Sequence, residues 1–168
     1  MTSNRWQPVY VGIGSNLDQP ALQVRNAMQA LLQLSEVVGW LFSRCYASPP
    51  MGPQDQPSFV NAVAGGLTRA SADTMLGALQ RIELAAGRSR EGRRWGPRVL
   101  DLDLLALGRT RQSDSSLTVP HPGIGERRFV LAPWSDIAAE FEIPGLGTVA
   151  QCLRTVPGKA TVIATEAA

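Results

Sequence analysis

Gly96-Pro97-Arg98-Val99-Leu100-Asp101-Leu102-Asp103-Leu104-Leu105 sets two carboxylates two residues apart inside an otherwise apolar run. The run reads as a strand, whose period of two sends Leu100, Leu102 and Leu104 to one face and Asp101 and Asp103 to the other. At about 3.3 Å of rise per residue the two Asp Cα atoms lie roughly 6.5 Å apart. Aspartate is a poor strand former, and two like charges on one face repel. A strand that carries both penalties has a use for the charge, and the commonest use is to hold a hard divalent cation such as Mg²⁺. Asp-x-Asp alone does not separate this from a solvent-washed edge strand; the surroundings do.

Immediately upstream, residues 87–98 (Gly-Arg-Ser-Arg-Glu-Gly-Arg-Arg-Trp-Gly-Pro-Arg) hold five arginines, three glycines, a tryptophan and a proline. Such a segment reads as a mobile, strongly cationic loop. Arginine forms paired bonds to phosphate oxygens and keeps its proton at any relevant pH. Arginines on a loop followed at once by paired carboxylates are the parts needed for phosphoryl transfer, which depends on positioning and charge neutralisation. A non-catalytic RNA-binding module would also use the Arg88–Arg98 loop. It leaves Asp101 and Asp103 unexplained, because they would repel a phosphate backbone.

The 168 residues suit one domain with a real core. With 44% hydrophobic and 18% charged residues the chain reads as globular. A net charge of +2 is too small to argue for nucleic acid, and the positive charge is local, between Arg88 and Arg98. Cys45 and Cys152 are distant in sequence and sit in apolar contexts, as free thiols of a reducing compartment do. No stretch approaches a membrane span, and residues 1–8 lack an apolar signal core, so the sequence points to a cytoplasmic protein.

Val9 to Ile13 alternates as a strand ending in Gly14-Ser15-Asn16. Asp18 and Pro20 are expected to open a helix buried along Val24, Ala27, Met28, Leu31 and Leu34. A second strand is expected over Val37–Tyr46, then a proline-rich loop over 48–57, then a strand over Phe59–Leu67. Ser71 can cap a helix reaching Ala86, with Met75, Leu76, Leu79, Ile82 and Ala86 buried and Gly87 as its stop. After the aspartate strand come a polar turn near Gln112–Ser116, a rigid loop over Val119–Gly123 and a short helix within Glu126–Trp134. The expected core spans about 9–156, with a frayed tail over 157–168. This order of elements suggests an α+β fold of the ferredoxin-like βαββαβ type, a mixed or antiparallel sheet covered by helices. There is no Gly-x-x-x-x-Gly-Lys-Ser/Thr loop, and Leu17 stands where the dinucleotide fingerprint needs its third glycine. A nucleotide must therefore be held by side chains.

The motifs resemble those of the 6-hydroxymethyl-7,8-dihydropterin pyrophosphokinases of folate biosynthesis. The matching pieces are Gly14-Ser15-Asn16-Leu17, residues 49–57 (Pro-Pro-Met-Gly-Pro-Gln-Asp-Gln-Pro), Phe59-Val60-Asn61-Ala62, Gln80-Arg81-Ile82-Glu83, Arg94-Trp95-Gly96-Pro97-Arg98, Leu100-Asp101-Leu102-Asp103 and Val119-Pro120-His121. The resemblance implies transfer of pyrophosphate from ATP to the pterin alcohol, releasing AMP, with Asp101 and Asp103 as ligands of two Mg²⁺ ions. It implies a pterin pocket of Ser48, Pro49, Met51, Phe59, Asn61 and Phe129, closed by Trp95 and adjoining Asp101 and Asp103. On the nucleotide side it implies Gln80, Glu83, Arg88, Arg90, Trp95, Arg98, Leu104, Thr118, His121 and Arg127, with Arg88 and Arg98 also stabilising developing charge. The partners are then ATP and the pterin, with no nucleic acid or membrane, and the protein acts as a monomer. Phe59 replaces a tyrosine common in the family, and Ser116 and Pro122 replace an arginine and a tyrosine of some relatives.

The Arg88–Trp95 segment has few apolar residues to hold it down and five mutually repelling arginines close by. Its amide exchange should be fast in the free protein and slow when Mg-ATP and pterin are both bound, as measured by mass spectrometry. Equal protection in the two states would leave the arginines as a static cradle instead of a lid.

Overall fold

The computed structural model describes residues 4–50, 52–87 and 99–163. Strand β1 (Gln7–Ser15) leads into helix α1 (Pro20–Leu32), followed by β2 (Val37–Phe42), β3 (Tyr46–Ser48), β4 (Phe59–Thr68), helix α2 (Ala72–Ala85) and β5 (Asp101–Leu107). Two short hairpin strands follow, β6 (Gln112–Ser113) and β7 (Thr118–Val119). A 3₁₀ turn (Ile124–Glu126) precedes helix α3 (Arg128–Ala138). The chain ends with β8 (Glu142–Ile143), β9 (Gly147–Thr148), helix α4 (Val149–Thr155) and β10 (Thr161–Val162).

The main sheet runs β10-β3-β4-β1-β5, with β2 also on β4, and every paired neighbour is antiparallel. This is the ferredoxin-like βαββαβ arrangement the sequence suggests. Val9, Val11 and Ile13 of β1, Ala62 and Ala64 of β4 and Leu102 and Leu104 of β5 enter one core with Val24, Ala27 and Leu31 of α1 and Met75 and Leu79 of α2. On the other face, Val63, Leu105 and Ala106 pack with Val130, Leu131 and Trp134 of α3 and Val149 of α4. Helices α3 and α4 cover only part of that second face, and the uncovered part carries the site.

Several local expectations need correction. The strand expected over 37–46 divides into β2 and β3, because residues 43–45 leave the ladder: the Ser43 hydroxyl accepts the Val63 amide. Asp18 does not cap α1. Asp18 and Gln19 both have left-handed backbone, and Pro20, which brings no N–H, begins the helix. In α2 the Ser71 cap holds, its Oγ accepting the Thr74 amide, but the buried positions are Ala72, Met75, Ala78, Leu79 and Glu83, with Leu76 and Ile82 half-buried. The helix expected within 126–134 begins at Arg128 and continues to Ala138. The tail is not frayed at 161–163: β10 pairs with β3, and the Ile163 amide donates to the Cys45 carbonyl, so the outer edge of β3 is occupied. Elements β8, β9 and α4 were not foreseen; a capping box of Thr148 and Gln151 starts α4. No helix among the described residues is long and apolar enough to cross a membrane.

Candidate active site

Sheet register builds the floor of the site. Asp101 lies opposite Gly14 on β1, and Gly14 lies opposite Asn61 on β4; one step along, Asp103 lies opposite Gly12. Directly opposed residues share a face, so the two carboxylates, the two glycines and the carboxamide all point to the uncovered face. Gly12 and Gly14 have no side chains, which leaves a trough along the central strand. A Cβ on Gly14 would lie 3.4 Å from Asn61 Oδ1 and 3.9 Å from the Phe59 ring.

The trough opens into a cleft lined by Gly12, Gly14, Ser48, Pro49, Gly52, Phe59, Asn61, Asp101, Asp103, Arg127, Phe129 and Val130. Its volume of about 120 Å³ holds roughly ten waters by the same measure, which suits one small heterocycle. Asn61 Nδ2 donates to Ser48 Oγ at 2.7 Å, and Asn61 is buried. That bond fixes the amide so that its carbonyl Oδ1 overhangs Gly14, ready to accept a donor from a ligand edge. Phe59 and Phe129 are half-exposed and supply aromatic faces. The proline-rich loop is anchored from beneath: buried Asn16 donates through Nδ2 to Gln56 Oε1 and to the Pro57 carbonyl, both at 3.0 Å, and Gln54 ties back to Pro50 and Gly52.

Among the described residues, two nitrogen groups stand beside Asp103. Arg127 Nη1 lies 3.9 Å from Asp103 Oδ2, and its buried Nε has no hydrogen-bond partner among the described residues. His121 Nε2 lies 3.9 Å from Asp103 Oδ1. The His121 Nδ1 accepts the Gly123 amide at 3.2 Å, which places the ring proton on Nε2. Burial, reinforced by the Arg127 cation and opposed by Asp101, pushes the His121 pKa down to about 4. The ring is therefore neutral at pH 7, and its approach to Asp103 is a neutral contact, not an ion pair.

The donor set fits Mg²⁺. Two same-face carboxylates supply hard oxygens, and Mg²⁺ is commonly held by one or two carboxylates plus substrate phosphates and water. No group of three or more His, Cys, Asp or Glu suited to a metal occurs among the described residues.

The structure thus brings together Ser48, Pro49, Phe59, Asn61, Asp101, Asp103, Arg127 and Phe129, with His121 at the margin. Thr118 is half-buried on β7, two residues before the Pro120-His121 loop. Of the described residues expected on the nucleotide side, Arg127 lines the cleft and His121 stands at its margin, whereas Gln80, Glu83, Leu104 and Thr118 do not line it. Gln80 is exposed, whereas Glu83 is buried and its Oε1 accepts the Leu102 amide of β5 at 3.4 Å. The Leu104 side chain lies in the core on the opposite face of β5, as its alternation with Asp103 requires. Met51, Arg88, Arg90, Trp95 and Arg98 lie outside the described residues, as does the loop expected to close. Gly12, Gly14 and Gly52 were missed as lining residues. The available signal was Gly12-x-Gly14 at strand period, which leaves a gap on one face.

The family model for 7,8-dihydro-6-hydroxymethylpterin-pyrophosphokinase (HPPK) matches residues 10–139. A 2-amino-4-hydroxy-6-hydroxymethyldihydropteridine pyrophosphokinase of Haemophilus influenzae is 41% identical over 145 residues, 86% of this chain and 90% of the relative. A Pseudomonas aeruginosa protein of the same name is 45% identical over 138 residues, covering 82% and 85% of the two chains. A mitochondrial folate synthesis bifunctional protein of Arabidopsis thaliana is 37% identical over 77% of this chain but only 23% of its own length. In structure, wild-type Plasmodium falciparum HPPK-DHPS with pteroate superposes with a TM-score of 0.68 at 12% identity, over 92% of this chain and 43% of that one, which is a likeness of fold. The RNA-binding alternative finds no support in these matches.

The trough at Gly14 generates a specific test. Gly14→Val should fill it at a cost of roughly 1–3 kcal/mol in ligand binding. Calorimetry should show 6-hydroxymethylpterin bound about tenfold or more weakly, with circular dichroism unchanged. Unaltered binding would move the heterocycle away from the β1 trough.

Proposed function

Because the chain belongs to the 7,8-dihydro-6-hydroxymethylpterin-pyrophosphokinase family and transfers pyrophosphate from ATP to hydroxymethyldihydropterin in folate biosynthesis, we propose that this transfer takes place over the Asp101–Gly14–Asn61 row. The observation that carries the assignment is the register that sets two carboxylates and a carboxamide on one open face, with a side-chain-free strand between them.

In this reading the pterin lies over Gly14, with Phe59 and Phe129 against its ring and Asn61 Oδ1 accepting a hydrogen bond from its edge. Ser48 holds the amide in that orientation. The hydroxymethyl oxygen then lies toward the Asp101 and Asp103 side. It gives up its proton to a carboxylate of the aspartate pair or to water and forms a bond to the β-phosphorus of ATP, as the bond from that phosphorus to the bridging oxygen breaks and AMP leaves with that oxygen. Asp101 and Asp103 would hold two Mg²⁺ ions, which there would supply charge neutralisation on the transferring group and a lowered pKa for the attacking hydroxyl. Arg127 and the neutral Nε2–H of His121 face the same place and donate to phosphate oxygens, while Thr118 adjoins the nucleotide. Arg88, Arg90, Trp95 and Arg98, outside the described residues, complete the nucleotide side, and Met51 completes the pterin pocket.

The buried Glu83 acts on this site from behind, as an acceptor for the strand that carries the aspartates, and Gln80 and Leu104 contribute through exposed surface and main chain respectively. A single domain acting as a monomer belongs to this reading. Free cysteines at 45 and 152 suit a cytoplasmic setting.

Asp101→Ala and Asp103→Ala should each lower AMP release by roughly 100-fold or more while the far-ultraviolet spectrum stays native. Phosphorus NMR of the wild-type reaction should show AMP and a pterin diphosphate with no ADP accumulating. Near-wild-type turnover in either variant would remove the aspartates from the site.

A further inference from the structure

We infer that Arg44, Tyr46 and Asp136 form a clamp that sets the width of the pterin cleft, an inference that rests on the cleft assignment above. Asp136 lies on α3 and the other two on or beside β3. Its carboxylate gathers four donors. Oδ1 accepts Arg44 Nη2 at 2.8 Å and the Tyr46 hydroxyl at 2.8 Å; Oδ2 accepts Arg44 Nε at 3.0 Å and the Arg44 main-chain amide at 3.2 Å. Arg44 Nη2 also donates to the Tyr46 hydroxyl oxygen at 3.0 Å. An isolated surface ion pair contributes little, but a paired arginine–carboxylate contact within a network is the recognised exception. Here the carboxylate side chain is only 14% exposed.

Both ends of the clamp continue into the cleft. Tyr46 lies opposite Asn61 in the sheet, and Ser48, two residues further along β3, holds the Asn61 amide. On α3, Phe129 precedes Asp136 by seven residues, two helical turns, so the two lie on one line along the helix. Bonds that draw Asp136 to β3 therefore also fix how far Phe129 stands from Ser48 and Asn61. Apolar packing of Leu131 and Trp134 presses α3 onto the sheet but is non-directional. It sets the height of the helix more firmly than its rotation. Pro133 loosens the first turn further, because it cannot donate to the carbonyl of residue 129. Directional bonds at Asp136 supply the missing restraint.

These are positioning residues and touch no substrate, so the test must separate placement from stability. Calorimetry of the wild-type protein with 6-hydroxymethylpterin, with Mg²⁺ and the non-transferable α,β-methylene analogue of ATP present, comes first. No pterin binding there would overturn the cleft assignment itself. Given binding, Tyr46→Phe and Asp136→Ala should weaken pterin about tenfold. The pterin KM for AMP release should rise by the same factor, while kcat and the KM for Mg-ATP stay within about twofold. Asp136→Glu, which keeps the acceptors on a longer arm, should recover part of the loss. Should Asp136→Ala not fold, Arg44→Ala takes its place by the same criteria, since that side chain is 64% exposed. Unchanged pterin affinity in a folded variant, or equal weakening of both ligands, would overturn the clamp.

Discussion

Everything at the site depends on the register of β5 against β1. With Asp101 on Gly14 and Asp103 on Gly12, the leucines between them fall on the helical side of the sheet. A slip of one residue would reverse every side chain, exposing Leu102 and Leu104 in the cleft and driving both carboxylates into an apolar core. Burying a carboxylate without partners costs several kcal/mol, and losing two leucines from a core costs a comparable amount again. The apolar contacts with Met75 and Leu79 on the far face thus enforce the placement of charge on the near face. Core and active site are two sides of one register.

The near face is divided along its length. Where α3 lies over the sheet, Tyr10, Trp134 and Phe141 pack together with ring centroids 4.7–5.8 Å apart. Beyond the start of α3, β1 carries glycines in place of large side chains, and the sheet is left open. The cleft is therefore the part of the sheet that its covering helix does not reach, and Phe129 and Val130 at the start of α3 form its wall. This explains why α3 lines the cleft at one end only.

Much of this was legible in the sequence, for physical reasons. Period-two alternation around Asp101 and Asp103 identified both the strand and the face, and helix periodicity with the Ser71 cap located α2. What escaped was set by tertiary contact. Nothing local announces that Ser43 will satisfy an amide of β4 and split a strand, or that Thr161 and Val162 will pair with β3. Helix α3 outran its expected end because packing of Trp134 and its neighbours outweighs the local signal of Pro133. At the site, residues with side chains were legible and residues acting by lacking one were not; Gly12 and Gly14 are read as space only after their neighbours are known. Glu83 and Leu104 show the reverse case. The family resemblance marks them as nucleotide contacts, yet burial turns one toward the β5 backbone and the other into the core.

One irregularity in β5 completes the geometry. Pairing with β1 shifts between Tyr10 and Val11, so Leu105 and Ala106 both turn to the α3 side before Leu107 rejoins the helical side. Bulges of this kind are common beside active sites because they redirect a chain without changing its sequence elsewhere. Here the carbonyl of Leu105 accepts the His121 amide at 2.9 Å, which draws the Pro120-His121-Pro122 loop against the aspartate strand. His121 is thereby brought to Asp103 by its own backbone, leaving the ring for other work. The Gly123 amide then claims Nδ1 and burial keeps the ring neutral, so Nε2–H has a fixed direction before any ligand arrives. A donor held in this way needs no reorganisation when charge develops in front of it. The bulge thus serves packing and chemistry together: it turns Leu107 into the helical core and places the histidine that the aspartate pair adjoins.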